Sequence, residues 1–375
     1  MILTNCAQCA APLDHKAPRC GICKTRYCGR PCQKLHWQQG GHKAICQEIK
    51  RGGGAEQYHA DKKCAEAVAA AVEACADDTK GQTCYICTQA LHWKTKEGIV
   101  RMCACRGTSG FVHVSCLAEQ AKILVAEAEE NNLGVEAMTE RLKRWYACRL
   151  CEQEYHGVVK CALGWACWKA YVGRPEAEKL RSFAIGQLGS GLYEADQYED
   201  ALSVQEAELA MMRRLGAPEG ITLVVQSNLA NTYSALGRDE EALRLKRDVY
   251  SATLKLYGEE HGETLREANN HANALCSLER YAEAKALLRK TMPVARRVLG
   301  ENNELMLKMR WSFAEVLCRA DGATLGDTRE AVAMLEDAGR IARRVLGGAH
   351  PITVGLERAL RLAQAAHRVS ALRSA

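Results

Sequence analysis

Sixteen cysteine and histidine side chains stand in two strings of eight near the start of this 375-residue chain, and nothing else in it restricts the fold as strongly. The first string runs Cys6-x2-Cys9-x10-Cys20-x2-Cys23-x4-Cys28-x3-Cys32-x9-His42-x3-Cys46. The second runs Cys84-x2-Cys87-x15-Cys103-x1-Cys105-x7-His113-x2-Cys116-x31-Cys148-x2-Cys151. Zn²⁺ takes four thiolate or imidazole ligands in a tetrahedron, and a shell closed by four protein ligands marks a structural site. A Cys-x-x-Cys turn offers two thiolates to one ion. The x3 spacings of Cys28/Cys32 and His42/Cys46 place both members of a pair on one helical face. Each string therefore makes two sites, and the sequence predicts Zn²⁺ as cofactor at four per chain. His36 lies inside the first string but is left out, because both tetrahedra are full without it.

The remaining cysteines do not suggest a disulfide framework. Sixteen of the twenty precede residue 152, mostly in Cys-x-x-Cys pairs, and disulfides are rare where glutathione keeps thiols reduced. Residues 1–6 lack a basic patch followed by an apolar run, so no secretory leader is expected. The longest apolar-leaning stretch, Ala65–Ala76, contains Glu66 and Glu73 and falls well short of the roughly 20 residues of a membrane span. An intracellular address, cytoplasmic or nuclear, follows, with no membrane partner. The net charge of +6 is local: residues 1–51 hold nine Lys/Arg against two Asp/Glu. Two Zn²⁺ on seven thiolates bring that segment to about +4. Its lysines and arginines read as a solvated surface, and nucleic acid is not an expected partner.

The segment YCGRPCQKLHWQQGGHKAIC, with every ligand of the first string, closely resembles the MYND zinc finger, here over residues 6–46. In that family the ligand pairs interleave. Carried over by position, one zinc takes Cys6, Cys9, Cys28 and Cys32 and the other takes Cys20, Cys23, His42 and Cys46. The resemblance implies a protein-interaction finger that grips short peptides, with Gln33 and Trp37 flanking the peptide face.

The segment MCACRGTSGFVHVSCL, with cysteine fourth and histidine fifth in the second string, resembles the RING-CH (RING-variant) domain, over residues 84–151. By analogy Cys84, Cys87, His113 and Cys116 hold a third zinc, and Cys103, Cys105, Cys148 and Cys151 a fourth. Such domains recruit a ubiquitin-charged conjugating enzyme and act by positioning its thioester rather than through a nucleophile of their own. Ile86, between the first two cysteines, fits the apolar contact they use. Two positions depart from the family: Gln120 stands where tryptophan is common, and Glu152 follows the eighth ligand where a basic residue is usual. Trp145, in the long gap before Cys148, is read either as a substitute contact or as a core residue.

Between the strings, Gly52–Gly54 reads as a flexible break and residues 55–76 as an alanine-rich helix, with Cys64 and Cys75 at ordinary helix positions. After them, residues 155–174 carry His156, Cys161 and Cys167. The x5 spacing is wrong for a metal knuckle and no fourth ligand is near, so an apolar bridging helix is expected.

The remainder repeats with a period of 42. NLANTYSALGRDEEAL at Asn228 aligns with NHANALCSLERYAEAK at Asn270, and Ala230, Ala272 and Ala314 fall in register. An insertion near 322–327 stretches the last period. Each unit is an apolar helix, a short turn such as Leu236–Arg238, and a second helix capped at Asp239. Cys276 and Cys318 sit alone in these helices as small buried hydrophobes. The pattern resembles tetratricopeptide repeats of the kinesin-light-chain type, over about 180–365. His261 and His350 hold equivalent places in the inter-repeat turns and are read as capping residues. The resemblance implies a groove for an extended peptide, with Asn228, Asn231, Asn270 and Asn273 along its first helices.

The predicted fold class is thus small zinc-stabilised cross-brace domains followed by an all-α helical repeat solenoid. The expected boundaries are 1–51, a spacer at 52–83, 84–156, a bridging segment at 157–178, and about four repeats over 179–368. No phosphate-cradling, dinucleotide or GxSxG motif is present. An E3 ubiquitin ligase that recruits substrate through its finger and repeats fits this set, and so does a non-catalytic scaffold.

Overall fold

The computed structural model describes residues 4–374 and divides into two compact units, Met1–Gly216 and Ala217–Ala375. Among the described residues there are fifteen α-helices and one 3-10 turn, and extended backbone pairs only as four isolated bridges. Those bridges are placed by the ligand strings. Asn5–Pro12, Arg19–Arg26 and Ala147–Glu154 each bracket one Cys-x-x-Cys pair, and Val100–Val112 brackets Cys103 and Cys105.

In the first unit, α1 (Arg30–Gln38) and α2 (His42–Arg51) carry the helical ligands of the first string. The Gly52–Gly54 run is a hydrogen-bonded turn rather than a loose break: Ala55 N–H donates to Cys23 O at 2.8 Å, tying the start of α3 (Ala55–Ala74) to the first zinc module. The far end of α3 reaches the second module, where Cys75 Sγ accepts from Arg101 N–H at 3.5 Å and donates to Arg101 O at 3.7 Å. The second module adds α4 (Val114–Glu130), α5 (Val135–Leu142) and the 3-10 turn Lys143–Trp145.

Behind both modules runs α6 (Gly157–Tyr171), the bridging helix expected from sequence. Its sequence, GVVKCALGWACWKAY, is apolar on every side, and a helix of that kind is stable only when enclosed. It is enclosed, by α3, α4 and α7 (Lys179–Glu194). Cys161 and Cys167 lie inside this packing, and burial pushes the Cys161 thiol up to about 12, which suits a small hydrophobe rather than a ligand. Two glycines allow the closest crossing. A Cβ on Gly164 would lie 2.8 Å from Gln187 O, and one on Gly191 would lie 2.8 Å from Lys160 O. Helix α8 (Tyr198–Leu215) completes the unit against α7.

The second unit pairs α9 (Glu219–Ala235) with α10 (Asp239–Tyr257), α11 (Gly262–Ser277) with α12 (Tyr281–Leu299), and α13 (Glu304–Arg319) with α14 (Leu325–Val345), followed by α15 (Pro351–Ser374). Ala230, Ala272 and Ala314, matched by the 42-residue period, are each fully buried, as are Ala242 and Ala284 opposite them. A methyl group is the largest side chain that such helix approaches accept, so the period records the packing. The turn histidines cap: Glu263 N–H donates to His261 Nδ1 at 3.2 Å and Ile352 N–H to His350 Nδ1 at 3.3 Å. Asn303, one period after His261, does the same for Leu305 at 2.8 Å. Asp239 is the first residue of α10 rather than its cap, which is Arg238. The insertion at 322–327 forms a Thr324/Asp327 capping box that opens α14.

Candidate metal centres

Four of the eight ligand pairs, the Cys-x-x-Cys knuckles, are presented by the same backbone device. In all four Cys-x-x-Cys knuckles the first cysteine's N–H donates to the carbonyl five residues on, and its carbonyl accepts from the N–H four residues on. That fourth residue takes φ near +60°: Ala10, Lys24, Thr88 and Glu152, at 57°, 66°, 61° and 60°. A fifth turn of the same form was not legible in the sequence because it holds no thiol. His92 N–H donates to Glu97 O, Lys96 N–H to His92 O, and Lys96 has φ 59°. There the first ligand position is His92, whose Nδ1 accepts from Thr95 N–H at 3.2 Å and lies 2.9 Å from the Thr95 hydroxyl oxygen instead of facing a metal.

The knuckles converge in four quartets, in each of which the ligand atoms lie within 4.8 Å of one another. They are Cys6, Cys9, Cys28 and Cys32; Cys20, Cys23, His42 and Cys46; Cys84, Cys87, His113 and Cys116; and Cys103, Cys105, Cys148 and Cys151. In each module the first and third pairs meet, as do the second and fourth, which is a cross-brace. The edges have the right length for zinc. A tetrahedron with Zn–S near 2.3 Å has S···S edges of about 3.8 Å. The Sγ–Sγ separations are 3.6 Å for Cys9–Cys28, 3.8 Å for Cys20–Cys46 and 3.7 Å for Cys105–Cys148.

The two histidines offer different nitrogens. His42 turns Nε2 toward Cys23 Sγ at 3.4 Å, whereas His113 turns Nδ1 toward Cys87 Sγ at 3.3 Å. The free nitrogen of His113, Nε2, donates to Ala90 O at 3.3 Å, the outer hydrogen bond that fixes a ligating tautomer. His42 is held instead by rings: His36 stacks on it with centroids 5.0 Å apart, and Trp37 tilts against it at 5.8 Å. Tyr27 hydroxyl pairs with His36 Nδ1 at 3.0 Å, so His36 serves as a wall of the site and is not a ligand. Burial lowers the affinity of both ligand histidines for protons, as neutral imidazole ligands require.

The thiols show what a dication supplies. Cys148 is pulled well below the ordinary thiol range by Cys103 and then Cys151 beside it, while Cys103 is pushed far above it by Cys148 and Cys151. In the second quartet Cys46 is pushed up to about 12, first by burial and then by Cys23 and Cys20. Three or four thiolates crowded this closely need positive charge between them, and Zn²⁺ provides it. The four clusters are compatible with zinc sites.

Gly110 is a position that the ligand strings did not single out. It has φ +87°, and a Cβ there would lie 2.6 Å from Cys105 Cβ and 3.3 Å from Cys103 Sγ. Gly110→Ala is expected to eject the metal of the fourth quartet alone. Metal analysis of that variant should fall by about one ion per chain, and an unchanged count would contradict the packing described.

The partner contacts named from sequence are distributed unevenly. Ile86 is half-buried at the tip of its knuckle, with its N–H toward Cys84 Sγ at 3.4 Å. Trp145 is 1% exposed, with its ring edge-on to Tyr171 at 5.7 Å, so it is a core residue with no surface to offer a conjugating enzyme. Its neighbours in chain order gave no hint, because Tyr171 arrives from α6. The exposed aromatic of this module is Trp93, at 69%, beside Leu91 at 60%. Both flank His92, whose ring meets His113 edge-on at 5.4 Å. Asn228 and Asn231 are half-buried on α9, and Asn273 is exposed on α11. The Asn270 amide is committed inside the protein, donating to Ser227 Oγ and Glu267 Oε2 at 3.2 Å each.

Comparison with known proteins agrees with this anatomy. A family model for the MYND finger matches residues 6–46 and one for the RING-variant domain matches 84–132. Cys148 and Cys151 lie beyond that second match and join it through space. Two tetratricopeptide repeat models match 181–255, and 264–304 with 323–352. No curated protein matches the chain. Among solved structures, kinesin light chain TPR-like repeats from Podosopora anserina are 18% identical with a TM-score of 0.38, covering 62% of this chain and 97% of theirs. BtubC (BKLC) from P. vanneervenii is 12% identical with a TM-score of 0.36, covering 68% and 90%. The chain carries a MYND finger and a RING-variant domain at two cross-braced pairs of zinc-binding clusters, followed by tetratricopeptide repeats.

Proposed function

We infer from the domain set that this is a protein-interaction protein. We propose that it is an E3 ubiquitin ligase, in which the RING-variant domain recruits a charged conjugating enzyme while the finger and repeats supply peptide-binding surfaces for substrate. The observation that carries this reading is the apolar surface around the third quartet. Ile86 stands on the knuckle, and Leu91 and Trp93 stand beside the ring of His92 that touches the ligand His113. A closed zinc shell performs no chemistry of its own, so what such a site contributes is a rigid platform. Rigidity is supplied by Glu97, whose carboxylate accepts from Ser115 N–H and hydroxyl, both at 2.7 Å, and from Thr95 hydroxyl at 3.1 Å. This clamps the Trp93 loop to the start of α4. In the repeats, this reading assigns Asn228, Asn231 and Asn273 to a peptide backbone.

A non-catalytic scaffold is the second reading, favoured by Gln120 and Glu152 and by the burial of Trp145. Autoubiquitination by the zinc-loaded chain with a panel of conjugating enzymes separates the two. The ligase reading predicts chains that disappear with Ile86→Ala at unchanged metal content. Silence across the panel from fully loaded protein would sink it in favour of the scaffold.

A further inference from the structure

The last helix of the second unit, α15, bears an apolar row on its outward side. On α15, Ile352, Leu356 and Ala363 are buried, and His367 Nδ1 pairs with Thr328 Oγ1 of α14 at 2.9 Å, so these residues mark the inward side. Val354, Leu362, Val369 and Leu372 are 51%, 65%, 48% and 79% exposed. At 100° per residue those four fall within about 80° of arc, on the side opposite the buried residues. Interleaved with them are Arg358, Arg361 and Arg368, all exposed and none joined to a carboxylate among the described residues. Glu357, the nearest acid on the helix, is already taken by Arg343 of α14 at 2.6 Å.

The unit itself shows how such faces are covered. Its helices meet through apolar rows closed by a base–carboxylate pair. Lys285 of α12 meets Asp327 of α14 at 2.6 Å, Arg310 of α13 meets Asp337 of α14 at 2.6 Å, and Arg343 of α14 meets Glu357 of α15. The outward face of α15 has the apolar row and the bases and lacks the acids. We propose that this face docks an acidic amphipathic helix of a partner protein, stacked on α15 as the array's own helices stack on one another. From Val354 to Leu372 the stripe spans about 27 Å, the length of a five-turn helix. A groove of about 470 Å³ along its flank, lined by Trp311, Cys318, Arg358 and Leu362, accepts an apolar side chain from that helix.

A second copy of α15 is a poor occupant, since Glu357 is its single carboxylate and the pairing would set arginine against arginine. An anionic membrane is disfavoured because residues 351–374 contain no Trp, Tyr or Phe, the side chains that anchor interfacial helices. The proposal does not depend on the ligase reading.

The test uses the full zinc-loaded chain and a labelled 21-residue helical peptide with leucine on one face and glutamate on the other. A twin with lysine for glutamate serves as control. The glutamate peptide is expected to bind at least about tenfold more tightly than its twin. Combined Arg358→Glu, Arg361→Glu and Arg368→Glu substitutions should reverse that preference, and Leu362→Gln alone should weaken binding by about tenfold. All four positions are exposed, and far-UV circular dichroism checks that the fold is kept. Equal affinity for the twins would overturn the proposal. So would binding that the arginine substitutions leave unchanged, binding to phosphatidylserine vesicles but not to the peptide, or self-association of the chain that the substitutions abolish.

Discussion

Withdrawing the metal from the intact chain is expected to unfold the two zinc modules while the helices of residues 217–374 persist. The argument is one of core size. The buried apolar cluster of the first module consists of Cys6, Cys20, Cys23, Tyr27, Cys46, Ile49 and Ala55, and four of these seven are ligands. Without zinc, little apolar surface remains to offset the conformational entropy of some fifty residues, at roughly 1–2 kcal/mol for each backbone. Structural zinc contributes about 10–16 kcal/mol at neutral pH, comparable to the whole stability of a typical domain. The core of the second unit contains no ligand: it is built from residues such as Leu265, Leu288, Met306, Phe313 and Leu335. A strong chelator should therefore make residues 4–156 sensitive to protease and leave the repeat helices resistant. Acid should act in the same direction, because protons compete with zinc for thiolate and imidazole. Modules that stay protease-resistant after their zinc is gone would contradict this account.

The second large effect concerns the crossing of α6 and α7. In a free helix, replacing glycine by alanine stabilises by about 1 kcal/mol. At Gly191 the sign should invert. The added Cβ would lie 2.8 Å from Lys160 O and 2.9 Å from Cys161 Cα, and these are backbone atoms that no rotamer change can move. Overpacking of side chains costs about 1–3 kcal/mol, and a clash with backbone belongs at the upper end of that range or above. Gly164→Ala, 2.8 Å from Gln187 O, should behave alike. Gly339 is the control: it lies within α14, and an added methyl there meets nothing within 4 Å. Gly339→Ala should therefore stabilise by about 0.5–1 kcal/mol. Thermal unfolding of the three variants would measure this. Equal shifts for Gly191→Ala and Gly339→Ala would show that the helices do not approach as described.

The features legible in the sequence were those in which chemistry or period repeats along the chain. Eight soft ligands at fixed spacing make two sites per string, and the resemblance to the two zinc-finger families implied which pairs interleave. The 42-residue period exposed the buried alanines, and the matched turns exposed His261 and His350 as caps. What stayed hidden depends on partners distant in sequence. Trp145 is enclosed by Tyr171 of α6, and Asn270 is turned inward by Ser227, 43 residues earlier. The knuckle at His92 has the hydrogen bonds of the metal-binding turns but no thiol to announce it. Glu97 clamps Ser115 across 18 residues, an interaction without any local signature. Gly110 resembled any loop glycine until Cys105 was placed beside it.

The cross-braced assignment makes a quantitative demand on the metal itself. Fourteen cysteines and two histidines shared among four ions average 3.5 sulfur and 0.5 nitrogen neighbours per zinc. Elemental analysis of the purified chain combined with zinc K-edge absorption is the most direct test. The account predicts four ions per chain in that ligand ratio, with no oxygen neighbour. Two ions per chain, or a first shell with oxygen in it, would mean that at least one module does not close its tetrahedra as described.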